Sequence, residues 1–205
     1  MTSLPPNPWG DRRRVRVGLL GGSFNPAHAG HRHIAELALK LLCLDEVWLL
    51  VSPQNPLKPV AGMAPLPERL ASARAVAAGN RRLRVSALET RLGTTYTADT
   101  IAGLKIRFPT TRFVWLMGAD NLAQMQRWAR WDRIFAAVPV AILARGPYSA
   151  RMLATKAAHR FQYCRSGAEG ARSLCAKAPP AWVFLHIRRH PASSTAIRGQ
   201  NRSKT

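Results

Sequence analysis

The sequence predicts an α/β fold, a doubly wound parallel sheet with helices on both faces. Short apolar runs alternate with helical stretches along the chain, and several of the runs stop at glycine or proline. The runs are apolar at consecutive positions, which is typical of strands that are covered on both faces. Ligands of such sheets bind outside the carboxyl ends of the strands. The residues that follow the strands are therefore the candidate site.

The apolar runs predict six strands, at 15–20, 47–51, 83–86, 112–117, 139–144 and 182–186. Apolar spacing and alanine-rich composition predict helices at 34–44, 68–78 and 97–108, followed by a tryptophan-rich helical segment that ends at 137. A proline-rich loop follows the second strand, and the basic stretch 146–180 is predicted to be helix or loop. Ser193, Ser194 and Thr195 have the composition of a helix N-cap.

Composition and charge limit the class of protein. The chain has 205 residues, of which 47% are hydrophobic, so it can bury a core and is not wholly disordered. We expect a flexible basic N-terminal tail at 1–14 and a single domain at 15–205. Lys and Arg outnumber Asp and Glu by 31 to 10, a net charge of +21. Such a surface attracts nucleic acid, anionic membranes or phosphorylated small molecules.

The cysteines and the apolar segments indicate where the protein works. Cys43, Cys164 and Cys175 are odd in number and have no CxxC spacing, so we expect reduced thiols rather than a disulfide framework. The first apolar stretch is too short for a secretory signal. The longest apolar run, 135–144, is far shorter than the roughly 18 residues that a membrane span needs. These features predict a cytoplasmic protein without a membrane partner.

The first candidate cluster is GGSFNPAHAGHRHIA, at 21–35, between the first strand and the first helix. Gly21 and Gly22 let the backbone pass close to a ligand, and a helix N-terminus suits a phosphate. His28 and His31 share a helix face if both lie in the first turn, where they can donate to phosphate oxygens. Neither GxxxxGK[ST] nor GxGxxG is present. Ordinary capping, and a metal site that includes His33, are the alternatives.

The second candidate cluster is SSTAIR, at 193–198. Ser194 and Thr195 offer hydroxyl and N–H groups at a predicted helix start, and Arg198 lies one turn further on. Hydroxyls, amides and a guanidinium at one point form an anion clamp. A plain N-cap followed by a surface arginine is the alternative.

Together the two clusters resemble the paired signatures of the nucleotidylyltransferase superfamily, [HT]xGH after the first strand and ISSTxxR near the end. Three further stretches resemble bacterial nicotinate-nucleotide adenylyltransferases: VSPQNPLK at 51–58, ALETRLGTTYTADTI at 87–101 and FVWLMGADNLAQMQRWARWDRIF at 113–135. The resemblance covers about residues 15–199 and implies a Rossmann-like nucleotidylyltransferase fold. The chain departs from the family pattern at Ser23, Asn25 and Ala192, where relatives usually have Thr, Asp and Ile.

The resemblance implies that the phosphate of nicotinate mononucleotide attacks the α-phosphorus of ATP. Because the nucleophile is already an anion, the enzyme has to align two polyanions rather than supply a base. The catalytic residues that the resemblance implies are His28, His31 and Arg198. The ATP-binding residues that it implies are Gly21, Gly22, Ser23, Phe24, Lys58, Gly118, Asp120, Ser194 and Thr195. Mg²⁺ is expected to arrive on the ATP, with few ligands from the protein.

The mononucleotide site that the resemblance implies consists of Asn25, Thr95, Tyr96, Thr97 and Trp128. Trp128 is expected to stack on the pyridine ring and the threonine-rich turn to hold its carboxylate. Trp131, three residues further on, is expected to belong to the core, and the histidines at 33, 159, 186 and 190 have no assigned role. Two alternatives stay open, a preference for nicotinamide mononucleotide and a basic nucleic-acid-binding protein on the same core. The sequence also leaves a homo-oligomer open.

Overall fold

Seven parallel strands form one sheet in the structure, a computed structural model that describes residues 4–54, 57, 61–145 and 147–188, the backbone alone at 145 and 147–150. The strands are β1 (Arg16–Gly22), β2 (Glu46–Val51), β3 (Leu83–Ser86), β4 (Arg112–Gly118), β5 (Val140–Arg145), β6 (Arg165–Ser166) and β7 (Trp182–Ile187). Their order is β3-β2-β1-β4-β5-β7-β6, and every described pairing is parallel. The predicted parallel α/β fold is confirmed.

Helices connect the strands. They are α1 (Ala29–Leu41), α2 (Leu66–Ala77), α3 (Leu88–Leu92), α4 (Thr97–Arg107), α5 (Ala119–Gln124), α6 (Trp131–Ala137) and α7 (Lys156–Arg160). Four 3₁₀ segments lie at Met125–Arg127, Pro147–Ala154, Gln162–Cys164 and Ala168–Ala176. None of the helices in the described part of the chain is both long and apolar enough to cross a membrane.

The sheet is buried on both faces, as its apolar strands predict. Successive residues of β1 alternate between two core clusters, with Leu19 in one and Leu20 in the other. The first cluster lies under α4 and α6 and contains the rings of Trp48, Phe108 and Phe113, which meet edge to face. The second lies under α1 and α2. A sheet covered in this way opens to ligands only at its ends.

The chain reverses direction across the sheet between β1 and β4. From β1 it moves outward to β2 and β3, then returns to β4 on the other side of β1. The parallel register places Leu20 of β1 opposite Leu116 of β4, so the two strands end side by side. Such a switch point leaves a crevice at the carboxyl edge, where α/β folds bind ligands.

Element boundaries differ from the sequence prediction in three places. Helix α1 begins at Ala29, five residues before the predicted start at 34, because His28 caps it, and its glycine and histidines have too low a helix propensity to reveal it. Helix α3 and the two-residue strand β6 were not predicted, since neither is long enough to show a period. The stretch predicted as helix or loop is mostly 3₁₀ helix with α7.

The predicted tail, where the structure describes it from residue 4, lies against the domain. The Leu4 carbonyl accepts from Arg84, and the Pro8 carbonyl accepts from Arg107. Arg13 donates to Glu46 at 2.9 Å. These contacts reach β2, β3 and α4, and the flexibility of the segment stays a prediction.

The few acidic residues are largely occupied by arginine. Of the ten Asp and Glu residues, at least six lie in ion pairs: Asp11, Glu36, Asp45, Glu46, Asp99 and Asp132. A seventh, Glu89, is buried. Most of the positive charge therefore has no local counter-charge, and the surface potential is positive.

Candidate active site

A glycine at the end of β1 is required by an indole on β4. A Cβ on Gly21 would lie 2.5 Å from Cη2 of Trp115, far inside the carbon–carbon contact distance. Trp115 is fully surrounded, with only 2% of its surface exposed. A rigid ring therefore packs against the backbone at Gly21, where the sequence predicts that Gly21 and Gly22 let the backbone pass close to a ligand.

The turn after β1 is fixed by a buried phenylalanine. Phe24 has φ of 48°, a left-handed conformation that costs a non-glycine residue about 1–3 kcal/mol and is found mainly at functional sites. Its ring is 2% exposed and lies 4.8 Å from the ring of His31, centroid to centroid. The adjacent Ser23 is 5% exposed, and its hydroxyl has no hydrogen-bond partner among the described residues. A buried hydroxyl of this kind is an unsatisfied group at the predicted phosphate site.

Asn25 connects this turn to the loop before α2. Its Nδ2 donates to the Gly62 carbonyl at 2.9 Å, and its Oδ1 accepts from the Ala64 amide at 3.1 Å. An amide makes both bonds, whereas the family's usual aspartate can only accept. The role of Asn25 toward the mononucleotide stays a prediction.

His28 and His31 cap helix α1 reciprocally. Nδ1 of His28 accepts from the Gly30 amide at 3.1 Å, and Nδ1 of His31 accepts from the His28 amide at 3.2 Å. The two rings lie 3.9 Å apart, and His28 is 7% exposed. This capping box places His28 at the N-cap and His31 in the first turn, ahead of the predicted helix start at 34, and orients both rings from the backbone.

The cap determines the tautomer of both rings. An imidazole nitrogen that accepts a hydrogen bond carries no proton, so the neutral ring keeps its proton on the other nitrogen. In both histidines that nitrogen is Nε2, which is then a donor. Two donors at a helix N-terminus, where the helix dipole is positive, suit phosphate oxygens.

Strand β4, the neighbour of β1 in the sheet, leads directly into helix α5. Gly118 is the N-cap of α5, and Asp120 is exposed in its first turn. A carboxylate at that end of a helix is stabilised by the dipole. The structure thus places both residues beside the switch point, and their contacts with adenosine stay predictions.

The threonine-rich turn precedes α4 and is braced internally. Tyr96 is the N-cap, and its carbonyl accepts from the amides of Asp99 and Thr100, each at 3.0 Å. The hydroxyls of Thr94 and Thr100 lie 2.9 Å apart. Thr95 is exposed and Thr97 half-buried, so the turn presents polar groups outward from a rigid base.

An arginine that the sequence analysis did not select lies against this turn. The Arg130 guanidinium lies 5.3 Å from the centre of the Tyr96 ring and pairs with Asp99. Tyr96 is 42% exposed, so its ring is an accessible surface. Arg130 has φ of 53° and directly precedes α6. Because Arg130 and Tyr96 are far apart along the chain, no local sequence pattern indicates that they lie together.

The two tryptophans of the helical segment lie on the same core and make different contacts. Trp128 meets Trp115 edge to face at 6.4 Å, which connects it to the indole beneath Gly21. Trp131 meets Phe161 edge to face at 5.9 Å, and Arg160 lies over its ring. Both are partly buried. The contacts agree with Trp131 as a packing residue, and the stacking role of Trp128 stays a prediction.

Four predicted site residues lie outside the described residues: Lys58, Ser194, Thr195 and Arg198. The last described contact toward them joins β7 to α1, where Nε2 of His33 donates to the Arg188 carbonyl at 2.9 Å. The chain therefore leaves β7 beside the helix that carries His28 and His31.

Two buried charged residues at this edge were missed by the sequence analysis. Arg69 of α2 is 2% exposed and Glu89 of α3 is 6% exposed. Glu89 lies in the stretch ALETRL, which mixes apolar and polar residues, and Arg69 lies in a helix with no clear apolar face. Neither position therefore had a clear sequence signal of burial. Burial raises the pKa of Glu89 to about 7, and a hydrogen bond with Ser52 acts in the opposite direction.

We predict that Glu89→Gln removes a pH dependence of stability. A carboxyl whose pKa rises from 4.5 to about 7 on folding binds more protons in the folded state, so the free energy of unfolding falls as the pH rises through that range. Between pH 5 and pH 8 the unmodified chain should lose about 1–3 kcal/mol relative to Glu89→Gln. Urea unfolding of both proteins at both pH values measures the difference. The same change in the free energy of unfolding with pH in both proteins would contradict the raised pKa of Glu89.

Comparisons with known proteins identify the family of the chain. The cytidylyltransferase-like family matches residues 19–200. A protein of Gluconacetobacter diazotrophicus named probable nicotinate-nucleotide adenylyltransferase is 50% identical over 190 residues, which span 93% of this chain and 88% of that protein. One of the same name from Cereibacter sphaeroides is 53% identical over 186 residues, 91% of this chain and 98% of that protein.

A solved structure shows the same fold. The Plasmodium falciparum nicotinic acid mononucleotide adenylyltransferase complexed with NaAD superposes with a TM-score of 0.67 at 16% identity, over 90% of this chain and 83% of that one. The same protein complexed with APC gives a TM-score of 0.65 at 15% identity, with the same coverage. The resemblance seen in the sequence is confirmed: the chain belongs to the cytidylyltransferase-like family, in which its relatives are named nicotinate-nucleotide adenylyltransferases.

Proposed function

We propose that this chain transfers the adenylyl group of ATP to nicotinate mononucleotide and releases pyrophosphate, a step of NAD biosynthesis. The observation that supports it most directly is the His28–His31 pair, which caps α1 at the switch point of the sheet. Relatives that are about half identical over nine-tenths of the chain carry the name of this activity. The product is nicotinate adenine dinucleotide.

The reaction exchanges one phosphorus–oxygen bond for another. A phosphate oxygen of the mononucleotide forms a bond to the α-phosphorus of ATP, and the bond from that phosphorus to the bridging oxygen breaks, with its electron pair leaving on pyrophosphate. No proton has to be removed from the nucleophile. The work of the protein is to hold two anions in line and to stabilise the charge on the α-phosphate.

The described residues supply donors for that charge. The Nε2–H groups of His28 and His31 are fixed by the helix cap, so they need little reorganisation when charge develops. The amides of the turn Gly22–Phe24 and the N-terminus of α1 add to the positive potential. Arg198, Ser194, Thr195 and Lys58 are the further triphosphate ligands of this proposal.

The nucleotide enters as its magnesium complex. Among the described residues no three His, Cys, Asp or Glu side chains are grouped so that they could hold a metal. The imidazole and amide N–H groups at this edge bind phosphate oxygens rather than Mg²⁺. In this proposal the ion is bound by the triphosphate oxygens.

The mononucleotide lies on the face of the sheet that carries α4. The turn at 95–97 holds the carboxylate, and Trp128 lies flat against the pyridine ring. Tyr96 and Arg130 are close to each other at the same turn, so a cation is within reach of that carboxylate. The reaction takes place in the cytoplasm in this proposal, which agrees with three cysteines outside any disulfide.

Substitutions that keep the cap should separate catalysis from folding. We predict that His28→Asn and His31→Gln lower kcat by about 100-fold or more, the usual cost of a lost transition-state donor. Asn is a good N-cap and Gln is the usual partner in a capping box, so the free energy of unfolding should change by less than about 1 kcal/mol. Pyrophosphate release and urea unfolding measure the two effects.

The exposed His159 of α7 provides the matched control. His159→Asn should leave kcat unchanged. Near-normal turnover by both cap variants would remove the histidines from the reaction.

The identity of the second substrate is tested by offering each mononucleotide with MgATP to the unmodified protein. We predict that kcat/KM for nicotinate mononucleotide exceeds that for nicotinamide mononucleotide by at least about 10-fold, because a neutral amide leaves the donors for a carboxylate poorly matched. A reversed preference would favour the nicotinamide alternative. Absence of pyrophosphate release with both would contradict the proposed function.

The stacking role of Trp128 has its own test. We predict that Trp128→Ala raises KM for the mononucleotide about 10-fold, since stacking on an aromatic ring is worth about 1–3 kcal/mol. Trp131→Ala should instead lower the free energy of unfolding through its lost contact with Phe161 and leave that KM within about twofold. Steady-state kinetics and urea unfolding of both variants distinguish the roles, and an unchanged KM for Trp128→Ala would exclude it from the site.

A further inference from the structure

A buried arginine holds the loops of the candidate site together. Arg69 lies one turn into α2 and is 2% exposed. Its Nε donates to the Ala64 carbonyl at 2.8 Å, one terminal nitrogen donates to the Ser23 carbonyl at 2.8 Å and the Ser52 carbonyl at 2.6 Å, and the other donates to the Pro53 carbonyl at 2.7 Å. One side chain thus binds four main-chain carbonyls.

No carboxylate of the described residues pairs with this guanidinium. Its hydrogen bonds all go to backbone oxygens, and burial lowers the pKa of Arg69. A charge that is buried without an ionic partner costs folding free energy, and only carbonyl dipoles offset that cost here. An apolar side chain would avoid that cost but would leave the four carbonyls without these donors, so what the arginine contributes here is its hydrogen bonds to the loops.

The four carbonyls belong to three separate segments. Ser23 follows β1, Ser52 and Pro53 follow β2, and Ala64 precedes α2. The segments that follow β1 and β2 lie at the same edge of the sheet, because the two strands are parallel neighbours and end there. The planar guanidinium fixes the distance between them, which no other residue type reproduces with five fixed donors.

A second residue of α2 holds the other end of the first loop. The Ser72 hydroxyl accepts from the Ala27 amide at 3.2 Å and donates to the Arg69 carbonyl at 2.9 Å. The loop 23–27 is therefore held against α2 at Ser23 and at Ala27, directly before His28. Helix α2 sets where the turn and the cap of α1 stand relative to the segment after β2.

We propose that Arg69 is a positioning residue for the triphosphate of ATP. It acts through the Ser23 carbonyl on the turn Gly22–Phe24 and through Ser52 and Pro53 on the loop that leads to Lys58. This inference rests on the proposed function and adds a residue to it. The described hydrogen bonds of Arg69 go to the loops after β1 and β2 and before α2, and none goes to the turn at 94–100 or to Trp128. Its effect is therefore expected on ATP and not on the mononucleotide.

The test compares Arg69→Lys and Arg69→Ala with the unmodified protein. A lysine keeps the charge but cannot reach four carbonyls from one point. Arg69→Lys lowers kcat about 10- to 100-fold, the usual cost of a displacement near 1 Å, and raises KM and the dissociation constant for MgATP. KM for the mononucleotide stays within about twofold. Circular dichroism and calorimetric titration with MgATP accompany the kinetics.

Chemical rescue distinguishes positioning from a general loss of structure. Arg69→Ala leaves a space lined by four carbonyls, which guanidinium ion at millimolar concentration fills, so that kcat rises several-fold. Methylammonium and NaCl at the same concentration give no rise. Arg82→Lys is the matched control, since Arg82 also donates to two backbone carbonyls, Leu44 and Asp45, but at the opposite end of the sheet. It leaves both KM values unchanged.

Each remaining outcome has one meaning. Unchanged kinetics in Arg69→Lys overturn the proposal, and so does a fall in kcat that follows the unfolded fraction with both KM values unchanged. Failure of both Arg69 variants to fold makes the residue a folding determinant and overturns it as well. If the unmodified protein turns over neither mononucleotide, the proposed function fails, and equal MgATP affinity in Arg69→Lys then overturns the positioning role independently.

Discussion

The N-terminus of α1 imposes the constraint on which the site depends. A helix begins with backbone amides that have no partner within the helix, and here two imidazoles accept from the amides of His28 and Gly30. Serine or aspartate would cap as well, but each would spend its polar group on the cap alone. An imidazole has a second nitrogen, so one residue both caps the start of the helix and carries a further donor. Capping thus uses one nitrogen of each ring, and the proposed function assigns phosphate binding to the other.

The two faces of the sheet divide the proposed work. Helices α1 and α2 cover one face, and in the proposed function the loops on that face hold the triphosphate. Helix α4 and the segment around Trp128 cover the other face, which holds the mononucleotide in the same proposal. The strands β1 and β4 lie between the faces and end side by side at the switch point. An in-line transfer between two anions needs them on either side of one phosphorus atom. A switch point between two covered faces provides that arrangement.

Much of this architecture could be predicted from local sequence. Runs such as Val47–Val51 are apolar throughout, which indicated strands and a parallel sheet. The start of helix α1 was predicted too late in the chain to show that the histidines cap it. The residues that were missed act over distance: Arg69 reaches carbonyls 5 to 46 residues away, and Arg130 reaches a tyrosine in another helix. Hydrophobic periodicity predicts which face of a helix or strand is buried. It does not predict which main-chain groups of other segments a buried side chain will bind. Glu89 was missed for a local reason, because the stretch ALETRL mixes apolar and polar residues and does not mark its carboxylate as buried.

The scarcity of unpaired acidic groups has a kinetic consequence. Most carboxylates are paired with arginine, so the remaining cations set a positive long-range field around the protein. That field accelerates the encounter with polyphosphates at low ionic strength and weakens as salt screens it. It retains departing anions by the same means. Salt that screens the field therefore weakens both the capture of the substrates and the retention of the products.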